Sequence, residues 1–225
     1  MVNSGKGVVA PEIILYKTLI SIFKIVQKDY IDNADETKTI LYNFFGIDEN
    51  LDALQFEEFN FLEQAKQIFV NKIPQVNLGY NLEVANQGCI HILLPNEQGQ
   101  PLAIGADENY QQYIEDDEKF KEVFSQRFDS TYNILITSEN YFEVILIYNL
   151  LKSSILALNY HFELAGLRLP KVSGSDLNIQ SDLVPTHIFH RSIMLNFFYE
   201  LNVSNFFYKN LVKNFRISGI IENKD

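Results

Sequence analysis

Apolar positions recur at helical spacing in the first third of the chain and mostly at strand spacing after it. From Pro11 onward, Ile13, Leu15, Tyr16, Leu19, Ile20, Ile22, Phe23 and Val26 form a broad apolar face to about Lys28, which predicts a helix. Pro11 suits its first turn. Residues 1–10 carry Gly5 and Gly7 and no pattern, and read as an arm. Asn33 or Asp35 is placed to cap a second helix over Thr37 to Phe45 that stops at Gly46. A third helix is expected near Phe56 to Lys72, ended by Pro74. Residues 1–75 thus read as an α-helical N-terminal extension.

The period then shortens. Val76 to Val84 and Gly88 to Leu94 read as strands, with Cys89, His91 and Leu93 on one face and Ile90, Ile92 and Leu94 on the other. Pro95 is expected to end that run. Asn96 to Asp107 reads as a loop, and the acidic, aromatic stretch Glu108 to Phe124 as a short helix or a surface excursion, so that 95–127 is an insertion. Phe128 to Thr137 reads as a strand, and Ser138 as the N-cap of a helix from Glu139 to about Asn159. That helix presents Phe142, Ile145, Leu146, Asn149, Leu150, Ser153 and Leu156 at helical spacing. Two strands close the pattern. Leu167 to Leu177 contains Pro170, a sign of an edge or a bulge, and His187 to Leu201 follows Pro185. In the last strand polar residues fall on both faces, so neither looks purely core. Residues 204–225, with Phe206, Phe207 and Phe215, read as a docking arm.

The fold class that follows is α+β, a mostly antiparallel sheet with one long packed amphipathic helix. The organisation is 1–75 as helical extension, 76–203 as the α+β domain and 204–225 as a C-terminal arm.

Charge narrows the function. The chain has 225 residues, 29 acidic against 18 basic, and a formal net charge of −11. The acids cluster at Asp29 to Glu36, Asp48 to Glu58 and Glu115 to Glu122, and no basic cluster answers them. Tight nucleic-acid binding needs a basic stripe, so it is not expected. One cysteine, Cys89, leaves no internal disulfide. Neither a leader in Met1 to Ala10 nor a span of about 20 apolar residues is visible, so the chain reads as soluble and off the membrane. Phe and Tyr are abundant, at 18 and 12, and Trp is absent.

Candidate chemistry is sparse. His187 and His190 lie three apart, which on a strand sets them on opposite faces. Cys89 and His91 share a face, but a nucleophile of that kind needs a third orienting group. The Gly5–Gly7 stretch lacks the frame of a phosphate loop. Ser173–Asp176 reads as a turn or bulge. Glu115–Glu118 lacks the spaced ligands of a calcium loop. No cofactor, metal or catalytic residue is expected.

The order of elements from Leu78 to Val203 resembles the tail-terminator and tail-completion family of bacteriophages. The matching parts are CIHILLPNE (Cys89–Glu97), YNILIT (Tyr132–Thr137), the helix after Ser138, LRLPKVSGSDLN (Leu167–Asn178) and VPTHIFHRSIMLNFFYEL (Val184–Leu201). The helical extension and the 95–127 insertion depart from the family's usual small members. The resemblance implies a non-enzymatic virion protein, assembled in the host cytoplasm. It implies a homo-oligomeric ring, commonly a hexamer, that caps the tail tube at the neck. Its partners would be itself, the tail tube, sheath or connector and portal-associated proteins, with DNA passing through the lumen without specific binding. On this reading Arg168, Lys171, Asp176 and Arg191 are candidates for ion pairs between subunits, although ordinary surface pairs fit them as well. Other readings are a ring protein of a short-tailed phage, the cap of a phage-derived contractile injection device, or a small enzyme whose site joins separated residues.

Overall fold

The computed structural model describes residues 10–46, 61–80, 88–100, 110–116, 119–175 and 188–204. Helix α1 spans Pro11–Asp32, with Pro11 in its first turn, and buries Leu15, Leu19, Ile22, Phe23 and Val26. The helix runs one turn further than the spacing predicts, and of the predicted apolar face Tyr16 and Ile20 are half-buried and Ile13 is exposed. The Asp29 carboxylate accepts a hydrogen bond from the Ile40 backbone N–H at 2.6 Å, which ties the end of α1 to the next helix.

The second helix is not continuous. Asp35 caps a 3-10 turn at Glu36–Lys38. Thr39 then caps α2, Ile40–Phe45, by accepting from the Tyr42 N–H. Extended backbone at Thr39 breaks the helix, and its buried hydroxyl serves both pieces, donating to the Glu36 carbonyl at 2.7 Å and accepting from the Tyr42 N–H. Gly46 ends α2 as expected. Helix α3, Phe61–Lys66, runs on as a π-helical turn at Gln67–Asn71; Phe56 lies outside the described residues. Lys66 joins these pieces through ion pairs to Glu36 and Glu63, with its ammonium 5.8 Å from the Tyr30 ring centre.

Among the described residues the sheet has six strands, β1 Gln75–Leu78, β2 Cys89–Gln100, β3 Tyr110–Asp116, β4 Lys119–Ser138, β5 Arg168–Ser175 and β6 Phe189–Ser204. Their order is β1-β2-β4-β6-β5, with β3 also paired to β4. Every pairing is antiparallel except β1 with β2. Helix α4, Tyr141–Ala157, and the short α5, Asn159–Leu164, connect β4 to β5. The fold is α+β.

Helices α1 and α4 cover one face of the sheet. Ile90 and Ile92 of β2, Tyr132, Ile134 and Ile136 of β4, and Ile193, Leu195 and Phe197 of β6 form a single hydrophobic cluster with Leu15, Leu19, Phe23, Ile147 and Leu150. The described helices of 1–75 therefore share their core with the sheet. Strand β6 has one core face after all, because its hydrophobic side packs under α4 while its polar side faces away.

Three expectations about the strands need correction. Pro95 does not end β2, which continues to Gln100 across a register shift between Leu93 and Asn96. β1 stops at Leu78, opposite Ile92, so among the described residues no strand pairs with the outer edge of β2 beyond that point, and a proline there interrupts no described ladder. Residues 96–100 are strand, not loop. Glu108 to Phe124 holds no helix among its described residues. Tyr110–Asp116 and the start of β4 pair as a hairpin, and β4 in turn pairs with β6 as far as Ser204. β6 thus runs past Leu201 to the start of the expected arm, whose residues 205–225, like Pro185 and His187, lie outside the described residues.

The α4 face also differs. Val144, Leu146, Ile147, Tyr148, Leu150, Leu151 and Ile155 are buried, whereas Phe142 and Leu156 are 43% and 55% exposed. Apolar residues lie nearly all round this helix, so their spacing alone does not choose a face. Asn140, not Ser138, is the N-cap and accepts from the Phe142 N–H at 3.0 Å. Ser138 remains the last residue of β4 and donates to the Glu143 carboxylate.

Candidate assembly surfaces

The face of the sheet away from α1 and α4 is polar over much of its length. Register sets Thr137 beside His190, Leu135 beside Ser192, Asn133 beside Met194, Thr131 beside Asn196, Asp129 beside Phe198 and Arg127 beside Glu200. The Thr131 hydroxyl donates to Asn196 Oδ1 at 2.7 Å. The Arg127 guanidinium lies 3.9 Å from the Phe198 ring centre, a contact in which a cation sits on an aromatic face. These groups are suited to hydrogen bonding, ion pairing and stacking, the chemistry of association.

One end of that face is covered. His91 is 1% exposed, its Nδ1 lies 3.3 Å from the Gly79 carbonyl and its Nε2 lies 3.3 Å from Thr137 Oγ1. The Tyr80 ring packs 4.9 Å from the imidazole. Gly79, at φ 82°, makes the left-handed turn that brings this segment over the sheet. Burial lowers the His91 pKa, opposed by the Gly79 carbonyl. Burial, then the Glu143 carboxylate, pushes the Cys89 thiol up. A protonated thiol beside an imidazole held by Gly79 and Thr137 is a packing arrangement and lacks an activated nucleophile.

Strand β5 is the sheet edge, and its register shifts between Arg168 and Lys171, so Pro170 sits at both an edge and a bulge. Arg168 pairs with Glu200 of β6 at 3.2 Å. Lys171 is exposed, opposite Asn196. Both belong to the polar face. Arg191 belongs to the other, half-buried, with its guanidinium 5.0 Å from the Tyr148 ring centre. Asp176 lies outside the described residues. The structure therefore brings Arg168 and Lys171 together and separates Arg191 from them.

Ser173 to Ser175 form regular strand and not the turn that Ser-Gly-Ser suggests. Gly174 is there for clearance, because a Cβ at that position would stand 1.8 Å from the Tyr148 hydroxyl. Tyr148 fits between α4 and β5 only over a glycine.

Two features escape sequence reasoning. Tyr141, Phe142 and Phe189 are 45%, 43% and 45% exposed and cluster where α4 and β6 begin, with Tyr141 5.4 Å from Phe189 and 6.3 Å from Phe142. Glu97 accepts from Ser130 Oγ at 2.9 Å and from the Tyr199 hydroxyl at 2.7 Å. Burial, then Glu97, raises the Tyr199 pKa. Burial, then Glu12 of α1, does the same at Tyr132. Phe142 sits in a helical pattern and Glu97 follows a proline, so neither carries a local sign of its role.

Among the described residues no group of three His, Cys, Asp or Glu side chains could hold a metal ion, and no helix is long and apolar enough to cross a membrane. No family model matches the chain, and no curated protein matches it.

Proposed function

We propose that this chain is a structural subunit that forms a homo-oligomeric ring at the neck of a phage tail. There it would cap the tail tube, join it to the head-tail connector and let DNA pass through without specific binding. It would act by assembly and not by turnover. The observation that carries this reading is the β4–β6 ribbon. It is paired without a break from Val123–Ser204 to Ser138–Phe189, and Gln126 to Asp129 of β4 keep contact with solvent while Ser130 and Tyr132 are buried. Among the described residues no strand pairs with the outer edge of β3 or with that of β6 beyond Phe198, and these edges would be open to a neighbour. A ring subunit needs two different surfaces of this kind, so that head-to-tail contacts close by rotation. The sequence order around Cys89–Glu97, Tyr132–Thr137 and Phe189–Leu201 supports the tail-terminator assignment within that class.

Light scattering on the purified chain, followed by negative-stain imaging with and without tail tubes, tests the proposal. A closed ring, or a monomer that forms rings on tubes, is the expected result. A monomer at every concentration that ignores tubes and connectors would sink it.

A further inference from the structure

The helix layer ends in an apolar stripe that the core does not use. Across the join of α4 and α5 the helical path is nearly continuous. The Leu158 N–H donates to the Ser154 carbonyl at 2.9 Å, and the Phe162 N–H to the Leu158 carbonyl at 3.1 Å. Leu156, Tyr160 and Leu164 follow at four-residue steps, so they share one side of that path. They are 55%, 66% and 57% exposed, while Ile155 and Phe162 are buried. Single exposed apolar residues are ordinary on a protein surface, but three in a row make a patch. Lys152 stands one step earlier on the same side, and residues 144–162 contain no acid. In a chain of net charge −11, this is a region that a second copy approaches with little repulsion.

The other end of α4 carries the second apolar patch, formed by Tyr141, Phe142 and Phe189, with the exposed Glu139 beside it. From Tyr141 to Leu156 the helix rises about 22 Å, so the two patches of one copy do not meet each other. Together they expose on the order of 600 Å² of largely apolar surface. That is most of the apolar part of an interface of about 1,600 Å², a little over half of which is apolar. Pairing the stripe with itself would leave the aromatic patch in water. Glu139 beside one patch and Lys152 beside the other are opposite in charge, which favours joining the two different patches.

We propose, on the ring reading above, that the Tyr141, Phe142 and Phe189 patch of one copy receives the Leu156, Tyr160 and Leu164 stripe of its neighbour. The contact is heterologous, end to end along the helix layer, and so repeats around a ring. The aromatic rings supply rigid apolar area at its centre.

Sedimentation velocity on the full chain reads self-association; where wild type assembles only on tail tubes, cross-linking on the tubes reads it instead. Two double variants each spoil one side. One is Tyr141→Glu, Phe142→Glu, whose acids suit a first helical turn. The other is Tyr160→Gln, Leu164→Gln. Circular dichroism checks that each is folded, and Tyr141→Ala and Tyr160→Ala replace a double variant that is not. Each variant alone should associate at least about tenfold more weakly than wild type. Mixed in equal amounts, the two should form dimers and nothing larger, because one intact patch of each kind remains, on different copies. Loss in the stripe variant alone would mean that the stripe pairs with itself, and loss in both without dimers on mixing would also overturn the contact. Folded variants that both assemble as wild type does would remove the contact and leave the ring reading standing. A wild type that stays monomeric even with tail tubes overturns both.

Discussion

The two faces of the sheet are built on the same strands and do different work. On the helix side Ile90, Ile134, Ile136, Ile193, Leu195 and Phe197 are almost wholly buried. On the other side Arg127, Asp129, Thr131, Asn133, Asn196 and Phe198 keep partial contact with solvent. Adjacent residues of one strand fall in both groups, as Phe197 and Phe198 do. Burial of apolar area stabilises the first group by about 25 cal/mol per Å². The second group gains only the small net value of hydrogen bonds and exposed charge contacts. The helix side carries most of the stability, and the solvent-contacting part of the polar side, away from buried His91, Thr137 and Ser192, can be changed or given to a partner at little expense to the fold.

The sharpest way to break that comparison is to truncate the two neighbouring phenylalanines. Phe197 is 2% exposed and stacks on Tyr132 with ring centres 5.3 Å apart. Phe197→Ala should cost about 3–5 kcal/mol in urea unfolding. Phe198→Ala, which removes a half-exposed ring from under Arg127, should cost about 1 kcal/mol or less. Equal losses would mean that both faces are core.

A smaller effect is expected at the join between α4 and the edge strand. With 1.8 Å between a new Cβ and the Tyr148 hydroxyl, Gly174→Ala should destabilise by about 1–3 kcal/mol. The Tyr148 ring must shift under Arg191, so the double variant Gly174→Ala, Tyr148→Phe should recover part of the loss. No recovery would place the clash elsewhere.

The smallest effect is pH-dependent and lies on the polar face. Burial holds His91 below its ordinary pKa of 6.5. The unfolded chain therefore binds a proton first as pH falls. The stability His91 contributes is present above about pH 6.5 and is lost below it, with a slope of at most about 1.4 kcal/mol per pH unit. Thermal melts from about pH 8 to pH 5 should show a shallower fall for His91→Gln than for wild type. Parallel curves would mean that His91 titrates alike in both states.

Local signals placed much of the fold. The spacing from Leu15 to Val26 set out α1 and its buried face, Gly46 its neighbour's end, and Pro170 an edge with a bulge. The alternation in β6 separated Ile193, Leu195 and Phe197 from Ser192 and Asn196, although it did not say which set was core. Where the signal failed, a distant partner had decided. Pro95 reads as a stop unless the end of β1 is known to lie opposite Ile92. Residues 110–124 read as an acidic excursion unless 110–116 are known to pair with 119–125, and β6 to join that strand from Val123. Of the candidate contact residues, Arg168 and Lys171 were legible as exposed bases near an edge. The inward position of Arg191, stacked on Tyr148, depends on a glycine in another strand.

By itself the amino-acid sequence determined the α+β class, the position of α1, the polar-apolar alternation of the closing strands and the acidic balance of the molecule. These follow from local periodicity and from a sum over residues, neither of which needs a partner. Only the tertiary structure decided which side of the nearly all-apolar α4 is buried, how far β2, β4 and β6 extend, and why Gly174 must be a glycine. Each of those is a contact between residues far apart in the chain, and the energy of such a contact is written at neither end alone.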